Sequence, residues 1–348
     1  MAKIGIIGTG WGARVQVPAF REAGLEVTAI AGFQPEKTRR LADELGLRPC
    51  EQWRELLSGD VDLVTIVTPP SEHREMALAA LEAGRHVLSE KPTALDAREA
   101  EELVASAGRH PDQFALIDHE LRFLPAWREA RAHLSDLGPI RYAEVRYASP
   151  GRGDRTREWN WWSDAGQGGG IWGAVGSHFV DALRYFGQEI DAVQASLATT
   201  IRERPFAGTT RPVTSDDVAF VNLRLRGGAV ATLSLSVVAS GPDEPSTITI
   251  HGEHAAIRLT GEEVLFAKRG EPFVRRYGGD LAKRPGNSAG GAFGSGTLHL
   301  GRALAAALDR GEREALAPAA TFEDGLAQQR VLDAARRSSA NGGGWTEV

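Results

Sequence analysis

The apolar run Ile4–Ile7 leads straight into Gly8-Thr9-Gly10-Trp11-Gly12-Ala13, and an amphipathic stretch continues to Glu22. This order of strand, glycine turn and helix constrains the chain more than any other feature. In a βαβ unit such a turn leaves backbone N–H groups at a helix N-terminus, aimed at a phosphate. Gly8 permits the tight turn, Gly10 lets a pyrophosphate approach the backbone, and the small Ala13 allows close packing of helix on strand. A glycine turn without a ligand is the bland alternative; its setting favours a dinucleotide.

The alternation continues for about a third of the chain. Strand patterns at 25–31, 63–67, 86–89 and 114–117 are separated by helical patterns at 36–45, 53–57, 71–83 and 96–107. Strands alternating with helices predict parallel pairing, and nearly continuous apolar strands predict burial on both faces. After about residue 120 the texture changes. A helix at 125–134 and a Gly/Trp/Arg-rich stretch at 151–173 precede strand patterns at 192–199, 218–226, 229–238, 247–251, 255–259 and 264–267. Val218–Leu225 and Ala231–Val237 alternate apolar and polar residues, and Gly227-Gly228 joins them as hairpin chemistry. A glycine-rich segment at 278–296 reads as a mobile connection to helices at 298–308 and 322–337. The expected class is α/β: an N-terminal Rossmann domain with a doubly wound parallel sheet (1–120), then a C-terminal α+β domain with a large open, mostly antiparallel sheet (121–348).

With 348 residues the chain suits two domains. Its net charge of -6, with interspersed signs, argues against a nucleic-acid partner, which calls for a clustered basic face. The single Cys50 excludes an intrachain disulfide and suits a reducing compartment. No apolar run is long enough for a membrane span, and the first residues read as a strand rather than a leader, so the cytoplasm is the expected location. No metal site is expected.

The end of the second strand is where such a domain selects its ribose. Here Gly32-Phe33-Gln34 carries no carboxylate to accept a 2′-hydroxyl, and Lys37, Arg39 and Arg40 follow. That pattern favours NADP over NAD, unless the three cations are ordinary solvated helix charges. Thr68-Pro69-Pro70-Ser71-Glu72-His73 ends the third apolar strand, with Ser71 read as an N-cap; it either covers the nicotinamide side or is a rigid turn. Ser89-Glu90-Lys91-Pro92 ends the next strand, where a lysine can hold a substrate hydroxyl, or else is a surface pair with Glu90.

Taken in order with Gly168-Gly169-Gly170, Gly176-Ser177-His178-Phe179-Val180-Asp181 and Thr321-Phe322-Glu323-Asp324-Gly325, these motifs resemble the Gfo/Idh/MocA family along essentially the whole chain. The resemblance implies hydride exchange between NAD(P) and a secondary alcohol of a sugar, polyol or related carbohydrate. It also implies a homodimer or homotetramer formed through the C-terminal sheet. It assigns Lys91 as the catalytic lysine and His178 as the proton acceptor. The residues expected against the dinucleotide are Gly8, Thr9, Gly10, Trp11, Ala13, Gly32, Phe33, Lys37, Arg39, Thr68, Pro69, Pro70, His73, Glu90, Lys91 and Arg122.

One position departs from the family pattern. The aspartate usually found four residues before the histidine is Ala174 here, and Glu120 or Asp164 is the expected substitute acid. Trp161, Trp162 and Trp172 offer a carbohydrate platform, joined by Asp181, while Arg152, Arg155 and Arg157 could meet an acidic substituent. Alternatively the tryptophans are packing residues and the arginines solvated. Two other functions stay open: an NAD-dependent glycosidase, and a non-catalytic dinucleotide sensor or partner subunit that the alanine would suit.

Overall fold

The computed structural model describes residues 1–278 and 291–348. The chain divides into two compact units. The first holds Met1–Ala94, Arg98–Leu124 and the described part of Leu281–Leu326; the second holds Leu95–Ala97, the described part of Pro125–Asp280, and Ala327–Val348. The glycine-rich connection falls largely on 279–290, outside the described residues.

In the first unit, β1 (Lys3–Ile7), β2 (Glu26–Ala31), β3 (Arg48–Cys50), β4 (Leu63–Ile66), β5 (His86–Ser89) and β6 (Ala115–Ile117) alternate with α1 (Val17–Glu22), α2 (Pro35–Leu45), α3 (Arg54–Ser58), α4 (Pro70–Glu82) and α5 (Ala97–Arg109). The strands lie in the order β6-β5-β4-β1-β2-β3, all parallel, and Ala320–Thr321 adds an antiparallel edge beside β6. Doubly wound topology follows from the early alternation, as expected. Apolar side chains lie on both faces of this sheet: one face buries Ile4, Ile6 and Ile30, the other Ile7, Val64, Ile66 and Val87.

The helix Gly291–Arg310 belongs to this unit rather than to the second, because Leu300, Leu304 and Ala305 pack into the same cluster as Ile4, Val17 and Phe20. Gly301 makes that approach possible: a Cβ there would lie 2.9 Å from Ala23 and 3.0 Å from Phe20. The helix is also longer than the 298–308 pattern suggested.

Among the described residues the second unit is built on a nine-stranded sheet. After α6 (Pro125–Ala132) come β7 (Ile140–Ala148), α7 (Ser177–Tyr185), β8 (Ile190–Ala198), the hairpin β9 (Glu203–Phe206) and β10 (Thr209–Pro212), β11 (Val218–Leu225), β12 (Val230–Ser236), β13 (Thr247–Gly252), β14 (Ala255–Thr260), β15 (Glu263–Lys268) and β16 (Val274–Gly278). The large sheet runs β16-β15-β14-β13-β7-β12-β11-β8, with Thr346–Glu347 at the β8 edge. Among its described strands only β7 and β12 pair in parallel. Gly227 and Gly228, both at positive φ (92° and 93°), turn β11 into β12 as the sequence predicts. Alternation decides the faces. Ala219, Val221, Leu223, Ala231, Leu233 and Leu235 are buried, whereas Phe220, Asn222, Val230 and Thr232 point the other way and stay exposed.

Candidate active site

Parallel register puts the strand ends of the first unit in one row. Ala31 pairs with Ile7, Ile7 with Ile66, Ile66 with Ser89, and Ser89 with Ile117. The motifs singled out after these strands begin within a residue or two of that row, at Gly8, Gly32, Thr68 and Glu90, and Asp118 follows the last strand in the same way. The carboxyl ends of such a sheet are where ligands bind.

The glycine turn fits a dinucleotide. Gly8 has φ 139°, and a Cβ there would collide with Val67 O, so the strand can turn only because this residue is glycine. At Gly12 a Cβ would lie 2.7 Å from Ile6, which fixes the helix close to the sheet. Gly10 differs, since a Cβ there would meet no protein atom within 4 Å. Its bareness serves nothing in the chain and suits a phosphate lying over the turn. The helix opens with a wide π-turn, Gly12–Gln16, before α1, where the sequence reading had plain α-helix. That turn directs Gln16 into the core, where its Nε2 donates to Asp118 Oδ2 at 2.8 Å. The cradle and the loop after β6 are thereby tied together.

Beyond β2, Gly32 sits against Thr9 and Thr38, and Phe33 is 62 % exposed. Of the cations predicted there, Arg39 pairs with Glu51 at 3.2 Å and Arg40 with Glu44 at 3.7 Å. Lys37 makes no ion pair among the described residues, and with Gln34 and Pro35 it lines an open depression at the start of α2. Ser71 does not cap α4, which begins at Pro70 without a side-chain cap.

His73 is fully buried, and its ring joins two motifs. Nδ1 lies 2.9 Å from Pro92 O and Nε2 2.9 Å from Thr68 O. Burial above all, helped by the nearby Lys91 charge, pushes this imidazole down to about 4, so the neutral ring donates to only one of the two carbonyls. His73 therefore shapes the two loops from beneath, rather than touching a cofactor as expected. Arg122 likewise has protein partners: it pairs with Asp324 at 3.1 Å and lies 3.5 Å from Pro318 O. Asp324 and Thr321 in turn exchange side-chain-to-backbone bonds at the start of the helix Phe322–Ala340, a capping box.

Lys91 follows β5, joined to Pro92 by a cis peptide bond, and its backbone N–H donates to Glu90 Oε2 at 3.3 Å. Its charge acts on the carboxyls of Glu90, Asp118 and Glu120. Burial is the main force raising all of them above the ordinary carboxylate range, their mutual repulsion adds to the rise in Asp118 and Glu120, and Lys91 opposes it in each. Glu120 Oε2 is buried without a hydrogen-bond partner among the described residues, and a Cβ at Gly296 would press on the same residue at 2.6 Å. The sequence reading missed Asp118 and Gln16; position just after a predicted strand end was the one available signal for Asp118.

In the second unit the triple glycine and the histidine helix form one device. At Gly169 a Cβ would lie 2.5 Å from Trp162 O, and at Gly170 (φ 108°) it would collide with the Asp216 carboxylate. Asp216 Oδ2 accepts from Trp172 N at 2.7 Å and its backbone oxygen from Ile171 N at 2.9 Å. These bonds anchor a π-turn, Trp172–Gly176, that runs into α7 and carries Ala174 and then His178. The i→i+5 turn alters which side chains stack, so Ala174 and His178, four residues apart, do not stack as they would on a plain α-helix. His178 and Asp181 are both buried on α7. Trp172, expected against substrate, is instead a core residue with its Nε1 donating to Leu332 O at 3.1 Å. Asp164 caps the turn Ala165–Gln167 through Gly166 N at 3.0 Å and Gln167 Nε2 at 3.1 Å, so its carboxylate shapes the loop. Trp161 and Trp162 remain half-buried and open to a ligand. Gly170→Ala is expected to destabilise the protein by about 1–3 kcal/mol, from a side chain at positive φ pressed on the Asp216 carboxylate. Thermal unfolding beside the wild type would check this, and an unchanged midpoint would count against it.

The glycine cradle and the row of strand-end loops define an NAD-binding Rossmann oxidoreductase. Residues 2–117 match the family described as an oxidoreductase family with an NAD-binding Rossmann fold, and residues 127–258 match the GFO/IDH/MocA C-terminal domain. The chain belongs to the Gfo/Idh/MocA family. It is 30% identical to glucose-fructose oxidoreductase domain-containing protein 2 of Xenopus tropicalis, over 97% of this chain and 92% of that protein. Among solved structures it resembles an oxidoreductase domain protein from Kribbella flavida (29% identity, TM-score 0.88, all of both chains). It also resembles levoglucosan dehydrogenase in complex with NADH and L-sorbose (24% identity, TM-score 0.88, 100% of this chain and 99% of that one).

Proposed function

We propose that this protein oxidises a secondary alcohol of a sugar or related carbohydrate, or reduces the matching ketone, with Lys91 and His178 as its catalytic residues. The observation that carries the reading is the row of strand ends, which gathers the glycine turn, Thr68, Lys91 and Glu120 at one edge of the first sheet. The nicotinamide, when bound, supplies or accepts the hydride. Gly8, Thr9, Gly10, Trp11 and Ala13 hold the diphosphate. Lys91 steadies the oxygen on which negative charge develops, and His178 moves its proton. Glu120, rather than Asp164, supplies the acid missing at Ala174. The absence of a carboxylate after β2 and the open Lys37 support NADP as the preferred form. Tyr142, Phe220 and Val230 are exposed on the outer face of the large sheet, which supports self-association through it.

The test is a nicotinamide-absorbance screen of sugars, polyols and inositols with each dinucleotide. Turnover with NADP exceeding that with NAD is expected. Tight dinucleotide binding with no turnover on any of them would instead favour the sensor reading that Ala174 suits.

A further inference from the structure

Three guanidiniums, those of Arg152, Arg157 and Arg204, meet around the loop before the triple glycine, which also carries Asp154 and Glu158. Arg152 lies over the Trp162 ring, 4.1 Å from its centroid, and donates to Asn160 Oδ1 at 3.3 Å. Arg157 donates to Gly151 O at 2.9 Å. Arg204, from β9, is buried beneath and donates to the carbonyls of Arg152 (2.6 Å), Asp154 (2.8 Å) and Arg157 (3.5 Å).

Every one of these acceptors is a neutral oxygen, and none of the three guanidiniums is ion-paired with a carboxylate among the described residues. Asp154 and Asp217 favour the Arg204 charge from a distance, but their hydrogen bonds go elsewhere: Asp154 Oδ1 accepts from Thr156 N and Oγ1 at 2.8 and 2.7 Å, and Asp217 accepts from Thr200 and Ile201. The mutual repulsion is felt. Burial first, then Arg157 and Arg204, draw Arg152 down to about 10. A loop needing only mechanical support would gain nothing from crowding like charges, and an anion would relieve them.

The buried Arg204 fixes the loop, leaving Arg152 half-buried and Arg157 exposed at its surface. Stacking on Trp162 holds the Arg152 fork in a set plane, the geometry that suits two-point binding of a carboxylate or phosphate. The loop is also continuous with the histidine helix, since Trp162 O abuts Gly169 and accepts from Ser215 Oγ at 2.8 Å, next to Asp216.

We propose that Arg152 and Arg157, with the Trp162 face beneath, form a subsite for a negatively charged group on the sugar, a carboxylate or a phosphate. This rests on the sugar reading above and narrows it to acidic sugars. The test is a tryptophan-fluorescence titration of the full-length protein, without dinucleotide, using D-glucuronate, glucose 6-phosphate and glucose. At least one of the two anions should bind the wild type about tenfold or more tighter than glucose, and which one does so distinguishes carboxylate from phosphate. In R152Q and R157Q that preference should shrink about tenfold. Should R152Q fail to fold, R157Q carries the same expectation, since its side chain is exposed. Equal affinity of the wild type for all three compounds, or an anion preference undiminished by either substitution, would overturn the proposal. Because the titration involves no turnover, a failure of the dehydrogenase reading would show separately, as an inert absorbance screen.

Discussion

Lys91→Ala is expected to lower turnover by at least about 100–1,000-fold while dinucleotide affinity stays within a few-fold of wild type. The magnitude is that of removing one preorganised charge from a site where an oxyanion develops. The separation of effects follows from where the binding groups sit: the cradle of Gly8–Ala13 and the loop after β2 contain no part of Lys91. The substitution also removes the Lys91 charge, which opposes the raised pKa values of Glu90, Asp118 and Glu120, so those carboxyls move further up. Any residual activity of the variant should therefore show a pH profile displaced to higher values. Steady-state absorbance assays across pH, with titration of the reduced dinucleotide by fluorescence, read both parts. A fully active variant would remove the mechanism, and a variant unable to bind dinucleotide would show that Lys91 acts on the cradle instead.

Much of the first unit was legible in the sequence because its signals are local. Alternating strand and helix patterns fix parallel topology, and parallel topology forces the loops after β1, β2, β4, β5 and β6 onto one edge. Lys91 and Gly10 could thus be placed from their neighbours in the chain. What escaped depended on distant packing. His73 and Trp172 belong to motifs that read as ligand contacts, yet both are buried and bonded to backbone carbonyls. Nothing local marks Asp216, whose importance comes from meeting Gly170 and Trp172 N across the fold. The helix Gly291–Arg310 joined the first unit because Gly301 admits Phe20, a fact with no trace in periodicity. The hairpin β9–β10 escaped too: its short, proline-containing strands lack an apolar alternation.

Glu120→Gln should make the folded protein more stable at pH 8, by about 1–3 kcal/mol, and at the same time slower. The stability gain comes from removing a carboxyl that burial penalises at pH 8, where the unfolded chain ionises it freely. Its sign follows from linkage. Glu90, Asp118 and Glu120 are all raised in the fold, so the native state holds protons that the unfolded chain releases in the ordinary carboxylate range near about 4. Their contribution is greatest below that range and is lost as pH climbs through the raised values. Asp216, lifted to about 6 chiefly by burial, adds to the same trend in its own window. Urea midpoints at pH 5.5 and 8 should therefore differ in favour of the lower pH, and the difference should narrow in Glu120→Gln. Amides keep the shape but cannot carry the charge, so if Glu120 stands in for the acid absent at Ala174, turnover must fall as stability rises. Asp164→Asn serves as the comparison, because that carboxylate shapes a loop; its turnover should stay closer to wild type. A Glu120→Gln protein that is less stable at pH 8, or equally active, would mean that the buried charge is fully compensated or chemically idle.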